Sequence, residues 1–243
     1  MIIIELTDLA WGLIPVAITL WLVRRWSLSP RRALLAIARM LLQLLLIGYV
    51  LAFIFNSDSP LLISGVLSVM LFAASWIALD SLPGRSLPLF GLSLAAVAGG
   101  GLFTLLVISQ GVMHLQPWYT PQVLIPIAGM IFSNSMNTIS LAGERFFSEF
   151  GRDQDYCRAR NTAYQAALIP ITNALMAVGL VSLPGMMTGQ ILSGVSPLIA
   201  ARYQIMVMLM IFGSAGISAA LFLMLLRRHV QPEHAGREVE QSD

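Results

Sequence analysis

Residues 38–55 read ARMLLQLLLIGYVLAFIF, and this stretch decides the fold. Only Arg39 is charged and only Gln43 carries an amide. The apolar residues are continuous rather than alternating, which argues for a helix surrounded by lipid and against a barrel strand. Extended back to residue 33, the run is long enough to cross a hydrocarbon core, which takes about 20 helical residues. Working outward, six further runs have the same character: 8–24, 60–79, 87–109, 121–142, 163–183 and 203–226. The expected fold is therefore all-α, a polytopic transmembrane helical bundle of about seven spans. Composition agrees: of 243 residues, 57% are hydrophobic and 11% charged, against about a quarter charged in soluble domains.

All 14 basic residues are arginine, and lysine is absent. A Walker A loop needs a lysine to reach the nucleotide phosphates, so the chain is not itself a P-loop ATPase. Schiff-base chemistry on lysine is excluded with it. Cys157 is the single cysteine, so no intrachain disulfide can form. His114, His229 and His234 are scattered, with no metal-ligand spacing. No cofactor and no nucleic-acid partner is expected.

The arginines set the orientation. Arg24, Arg25, Arg31 and Arg32 lie in the first loop, Arg85 in the third, Arg145, Arg152, Arg158 and Arg160 in the fifth, and Arg227, Arg228 and Arg237 in the tail. Only Arg202 falls on the other side. The expectation is an N-terminus outside and a C-terminus in the cytoplasm. Charge precedes the first apolar run as Glu5 and Asp8 and follows it as Arg24 and Arg25. That reverses a signal peptide and predicts a retained anchor. Residues 1–228 form the transmembrane domain, with a cytoplasmic loop at 143–161 and an outer segment at 184–197. Residues 229–243, polar and interrupted by Pro232 and Gly236, are expected to be a disordered cytoplasmic tail.

Polar residues inside spans are functional candidates, because lipid penalises them. Arg39 and Gln43 are four apart on one helical face. Either Arg39 snorkels to the interface while Gln43 bonds a neighbouring helix, or the pair faces the bundle interior at a gate. In MIFSNSMNTISLAGE (130–144), Asn134, Asn137, Thr138 and Leu141 follow helical spacing as a polar stripe. Interhelical hydrogen bonding is one account; a water-lined path is preferred. LIPITNALM (168–176) carries Pro170, Thr172 and Asn173, a kink with a polar flank. Gly99, Gly100 and Gly101 fit close helix approach better than a hinge.

PGMMTGQILSGVSP (184–197) has two prolines and three glycines but no charge. It is too broken for one straight helix and too apolar for a free loop. A re-entrant or interfacial segment at the outer mouth is expected, with Pro184, Gly185, Met186, Met187, Gly189 and Gln190 as an outer gate. A short surface helix is the alternative. Methionine is abundant, and a soft-metal role is most plausible at Met186 and Met187, though thioethers are more often packing. In GERFFSEFGRDQDYCRARN (143–161), Phe146, Phe147 and Phe150 cluster on one side of a helix, placed for the membrane interface or for a partner groove.

PQVLIPIAGMIFSNSM (121–136), ARMLLQLLLIGYVLAFIF (38–55) and above all VGLVSLPGMMTGQIL (178–192) resemble the FetB family. That family comprises ABC-transporter permeases associated with iron export, with plant relatives associated with aluminium tolerance. The resemblance implies a permease in the inner membrane that pairs with a separate cytoplasmic ABC ATPase, as two permeases with two ATPases. The chain would then export a metal ion, iron, or a small solute, without being an enzyme. Asn134, Asn137, Thr138, Asn173, Arg39 and Gln43 would line the path, and Phe146, Phe147 and Phe150 would dock the ATPase. An ATPase-independent channel or secondary transporter, or a non-transporting scaffold, stands as the alternative.

Overall fold

A computed structural model of the chain describes residues 6–57, 59–83, 86–153 and 155–240. Arg85 and the last three residues of the tail lie outside the described residues. The described chain is helical almost throughout and divides into two units, Met1–Ser57 and Asp58–Asp243.

In the first unit, α1 (Leu6–Leu9) passes through a tight 3-10 turn at Ala10–Gly12 into α2 (Leu13–Arg25). Trp26 and Ser27 close its end, Ser27 at φ 59. The chain then reverses into α3 (Arg31–Phe55). Pro15, Val16, Thr19 and Leu20 of α2 face Ala33 and Ile37 of α3 across a shallow groove. Nearly the whole circumference of α3 is exposed, with Ile54 its one buried residue.

The second unit holds the core. Ser59 caps α4 (Pro60–Ala78), its hydroxyl accepting from the Leu62 amide, with Pro60 at the first helical position. Ser86 caps α5 (Leu87–Val97) in the same way. That helix continues through a π-helical stretch at Ala98–Leu102, α6 (Phe103–Leu106) and a second π-helical stretch at Val107–Val112. Next come α7 (Pro121–Asp153), α8 (Tyr156–Ala177), α9 (Gly185–Leu192) and α10 (Pro197–Glu240). The long helices α7 and α10 pack on each other at the centre, with α4, α5 and α8 around them. Phe132, Ile139, Phe222 and Leu226 are among the buried side chains of that centre.

Small residues let these helices approach. A Cβ on Gly100 would collide with the Ser218 hydroxyl and stand 2.7 Å from the Ser218 backbone nitrogen. The glycine triplet is thus a close helix crossing, as its sequence suggests, with α10 in backbone contact. Serine hydroxyls seal the seams. Ser218 Oγ donates to Ser135 Oγ at 3.0 Å, Ser93 Oγ to the Ser75 carbonyl at 3.1 Å, and Ser140 Oγ to the Ala78 carbonyl at 2.8 Å. Without a hydrophobic difference between lipid and leucine, such contacts carry helix association in a bilayer.

Five helices among the described residues are long and apolar enough to cross a membrane: Arg31–Phe55, Pro60–Ser81, Leu87–Val112, Pro121–Arg152 and Pro197–His229. The chain is a polytopic, multi-pass helical membrane protein. Two of the seven expected runs behave differently. The first is divided by its 3-10 turn. The sixth forms α8, which is long enough but too polar, and which leaves the helix at Val178 rather than at residue 183. The last helix, α10, extends as far as Glu240.

Candidate functional site

The polar stripe of α7 separates into two sets. Thr138 is buried, and its hydroxyl donates to the Asn134 carbonyl at 2.8 Å. Asn134 is half-buried and returns its Nδ2 to the Met130 carbonyl at 2.8 Å. Both bonds stay within the helix. The bonds between helices come instead from Ser135 and Ser140, on other faces of α7. Ser133 and Asn137 are exposed.

On α8 the exposed polar residues include Gln165, Thr172 and Asn173, beside the internal Pro170. Asn137 and Asn173 belong to consecutive, mutually packed helices, α7 ending at Asp153 and α8 starting at Tyr156. At a rise of ~1.5 Å per residue, each lies about 25 Å along its helix from that shared end. Polar side chains are therefore exposed at matched height on the two arms of one hairpin. Arg39 and Gln43 belong to the first unit, where both are exposed and no described residue bonds either of them.

The segment 184–197 is a regular structure. After α8, the Gly179 amide donates to the Ser182 carbonyl at 2.9 Å, closing a turn in which Gly179 has φ +84. Pro184 is extended and leads into α9, whose eight residues form a helix against α10. The turn to α10 passes through Gly194 at φ +92. The segment thus contains one short helix between two longer ones. Gly185, Met186 and Gly189 face outward, while Pro184, Met187 and Gln190 are half-buried. Behind them is a cavity of about 310 Å³, lined by Leu175, Val178, Met187, Gln204 and Met208 among others. Gln204 is 6% exposed, and its amide oxygen has no hydrogen-bond partner among the described residues. The amide oxygen of Gln190 is likewise buried without one among them. Gln204 was missed in the sequence, although it is the one amide in the apolar run 203–226. Among the described residues no three His, Cys, Asp or Glu side chains gather into a metal-binding group.

The stretch 143–161 is two helix ends rather than a loop. Asp155 caps α8, its carboxylate accepting from the Cys157 amide at 2.8 Å and the Arg158 amide at 3.3 Å. Phe146 is fully buried, stacked on Phe150 at 5.4 Å and edge-on to Phe147 and Tyr156, each at 5.7 Å. It is a core residue of the hairpin and cannot be offered to a partner groove. The helical face that carries it turns toward α8, because a hairpin this long must bury one side of each arm. Phe147 and Phe150 are half-buried. The phenol of Tyr156 is pushed above its ordinary value of 10.0 by burial, opposed by the Arg160 and Arg227 guanidiniums.

Comparison with known proteins places the chain. Residues 6–231 match the family described as "Uncharacterised protein family (UPF0014)". A UPF0014 membrane protein of Synechocystis is 36% identical, covering 94% of this chain and 96% of that protein. The "Probable iron export permease protein FetB" of Escherichia coli is 31% identical, over 91% of this chain and 90% of that protein. "Protein ALUMINUM SENSITIVE 3" of Arabidopsis thaliana is 31% identical, over 76% and 71%. No solved structure matches. With residues 6–231 matched to the family and relatives more than 30% identical over most of its length, the chain belongs to the UPF0014 family of membrane proteins.

Proposed function

We propose that the chain is the permease subunit of an ABC transporter, moving a metal ion such as iron, or a small solute, across the inner membrane. The similarity to an iron export permease supports the permease role. The observation that carries it is the exposure of Asn137 on α7 and of Thr172 and Asn173 on α8 at matched height. Amide side chains at membrane depth are costly against lipid and are found facing protein or water. A second copy of the chain, placed against this hairpin, would enclose them as a path. The chain lacks a nucleotide-binding lysine, so the energy would come from a cytoplasmic ATPase. The hairpin end, with Phe147 and Phe150, is the surface it would meet, and α9 would lie at the outer mouth.

Co-purification tests the reading. The tagged chain, extracted from its native host in mild detergent, should retain a Walker A ATPase. It should lose that ATPase when Phe147 and Phe150 are both changed to Ser. A well-folded chain that retains no ATPase would leave the ATPase-independent transporter or the scaffold in its place.

A further inference from the structure

The arginine-rich end of α8 and α10 carries a feature that the transport reading does not use. Arg160 and Arg227 converge on one ring: their guanidinium carbons lie 5.9 Å and 5.6 Å from the centre of Tyr156. Such a contact is favourable for each cation, but it leaves two like charges close together. No carboxylate among the described residues pairs with either of them, whereas Arg145 on α7 pairs with Glu149 at 2.8 Å. Arg160 is held in place by Asn161, whose amide oxygen accepts from Nε at 3.1 Å and from a terminal guanidinium nitrogen at 2.9 Å. Beside them opens a cavity of about 210 Å³. Its rim is Arg160, Asn161 and Tyr164, all able to donate hydrogen bonds, and its floor is Ala220, Leu223 and Met224 of α10. No carboxylate lines it.

We infer that this cavity binds an anionic phospholipid, with the phosphate on Arg160 and Asn161 and the first part of an acyl chain against Ala220, Leu223 and Met224. Three features select that ligand. The rim offers positive charge without a resident counter-ion. The donors are planar and fixed, as phosphate recognition by arginine favours. The floor is apolar and belongs to a helix that crosses the membrane, with Met224 53% exposed, so the site opens toward acyl chains rather than toward water alone. Basic pockets between membrane helices at the charged surface commonly hold such headgroups. A soluble phosphate would use the rim but gain nothing from the floor. A protein surface would use the charges but could not enter between α8 and α10. The bound lipid would neutralise the pair of arginines at the base of the hairpin.

The test is native mass spectrometry of the full chain with equimolar dioleoylphosphatidylglycerol and dioleoylphosphatidylcholine. Wild type should retain the glycerol lipid at least tenfold over the choline lipid. Arg160→Gln with Arg227→Gln should bring the ratio near one. Ala220→Trp fills the floor and leaves every charge in place; it should reduce retention at least fivefold with unchanged thermal melting. Millimolar glycerol 3-phosphate should not displace the lipid. Equal retention of both lipids by wild type, or an unchanged preference in the two variants, overturns the inference. So does displacement by glycerol 3-phosphate, which would mark a soluble-phosphate site. Loss of a co-purifying protein in the arginine variant, with lipid preference intact, would mark a protein-docking surface instead.

Discussion

The hydroxyl of Tyr156 donates to the backbone carbonyl of Leu223 at 2.7 Å, tying the first turn of α8 to α10. Leu223 lies in a helix, so its carbonyl already serves the α10 ladder, and the phenol adds a second bond across the helix pair. The same ring stacks edge-on against Phe146. One side chain thereby couples the hairpin end to the longest helix of the chain.

Tyr156→Phe keeps the ring and removes only the bond. The expected loss is about 1 kcal/mol, the usual net worth of one hydrogen bond, measured as a lower melting temperature in detergent. The titration has a definite sign. Burial raises the phenol, so the folded state holds the proton more tightly than the unfolded state. Its contribution is complete below pH ~10 and is lost as pH rises through the higher folded value. Absorbance at 295 nm should show one tyrosine ionising late, and Tyr156→Phe should remove that step alone.

Phe146→Ala should destabilise the hairpin strongly, by about 3–5 kcal/mol, because it deletes a fully buried ring from an aromatic cluster. Phe150→Ser, at the half-buried edge, should cost less. Limited proteolysis between α7 and α8 would separate the two: rapid cleavage for Phe146→Ala, near wild-type resistance for Phe150→Ser. Similar cleavage of both would show that Phe146 is not the anchor.

Gly100→Ala places a methyl where Ser218 stands. Backbone as well as hydroxyl is in the way, so the two helices must part rather than a rotamer move. Overpacking of this kind costs about 1–3 kcal/mol. Adding Ser218→Gly should recover part of that loss, and a double-mutant cycle of melting temperatures would read the coupling. Additive effects would mean that the helices do not cross there.

Much of this was legible in the sequence. Five apolar runs became five long helices, because about 20 continuous apolar residues leave a chain few alternatives. The glycine triplet also reads as a close helix approach from its small residues alone. What could not be read was direction. Helical spacing puts Phe146, Phe147 and Phe150 on one side but does not say which way that side turns; packing against α8 turned it inward. Spacing likewise joined Thr138 to Asn137, yet one is buried and the other exposed, since a 100° step separates them. The stretch 184–197 is too broken for one straight helix, and its prolines mark helix starts, Pro184 just before α9 and Pro197 as the first residue of α10, where proline is tolerated.

Asn137→Leu with Asn173→Leu tests the path. Both residues are exposed and no described residue bonds either, so their loss should leave folding within about 0.5 kcal/mol of wild type. If they line an aqueous path, efflux of the transported species from loaded cells should fall at least tenfold while the protein level stays constant. Unchanged efflux would show that these amides are not in the path.

Gln204→Leu separates stability from function at the cavity behind α9. A buried amide oxygen without a partner costs about 1–3 kcal/mol, and leucine of similar volume removes that cost. The variant should therefore melt higher than wild type. Proteins retain such a penalty where the group serves something else, as stability and activity often oppose each other. If Gln204, with Met187 and Met208 beside it, meets the transported species near the outer mouth, the more stable variant should transport more slowly. A variant both more stable and fully active would make Gln204 a packing defect without a role. A less stable one would show that the amide has a partner in the membrane, and a difference in lipid dependence of melting between Gln204→Leu and wild type would identify that partner as lipid.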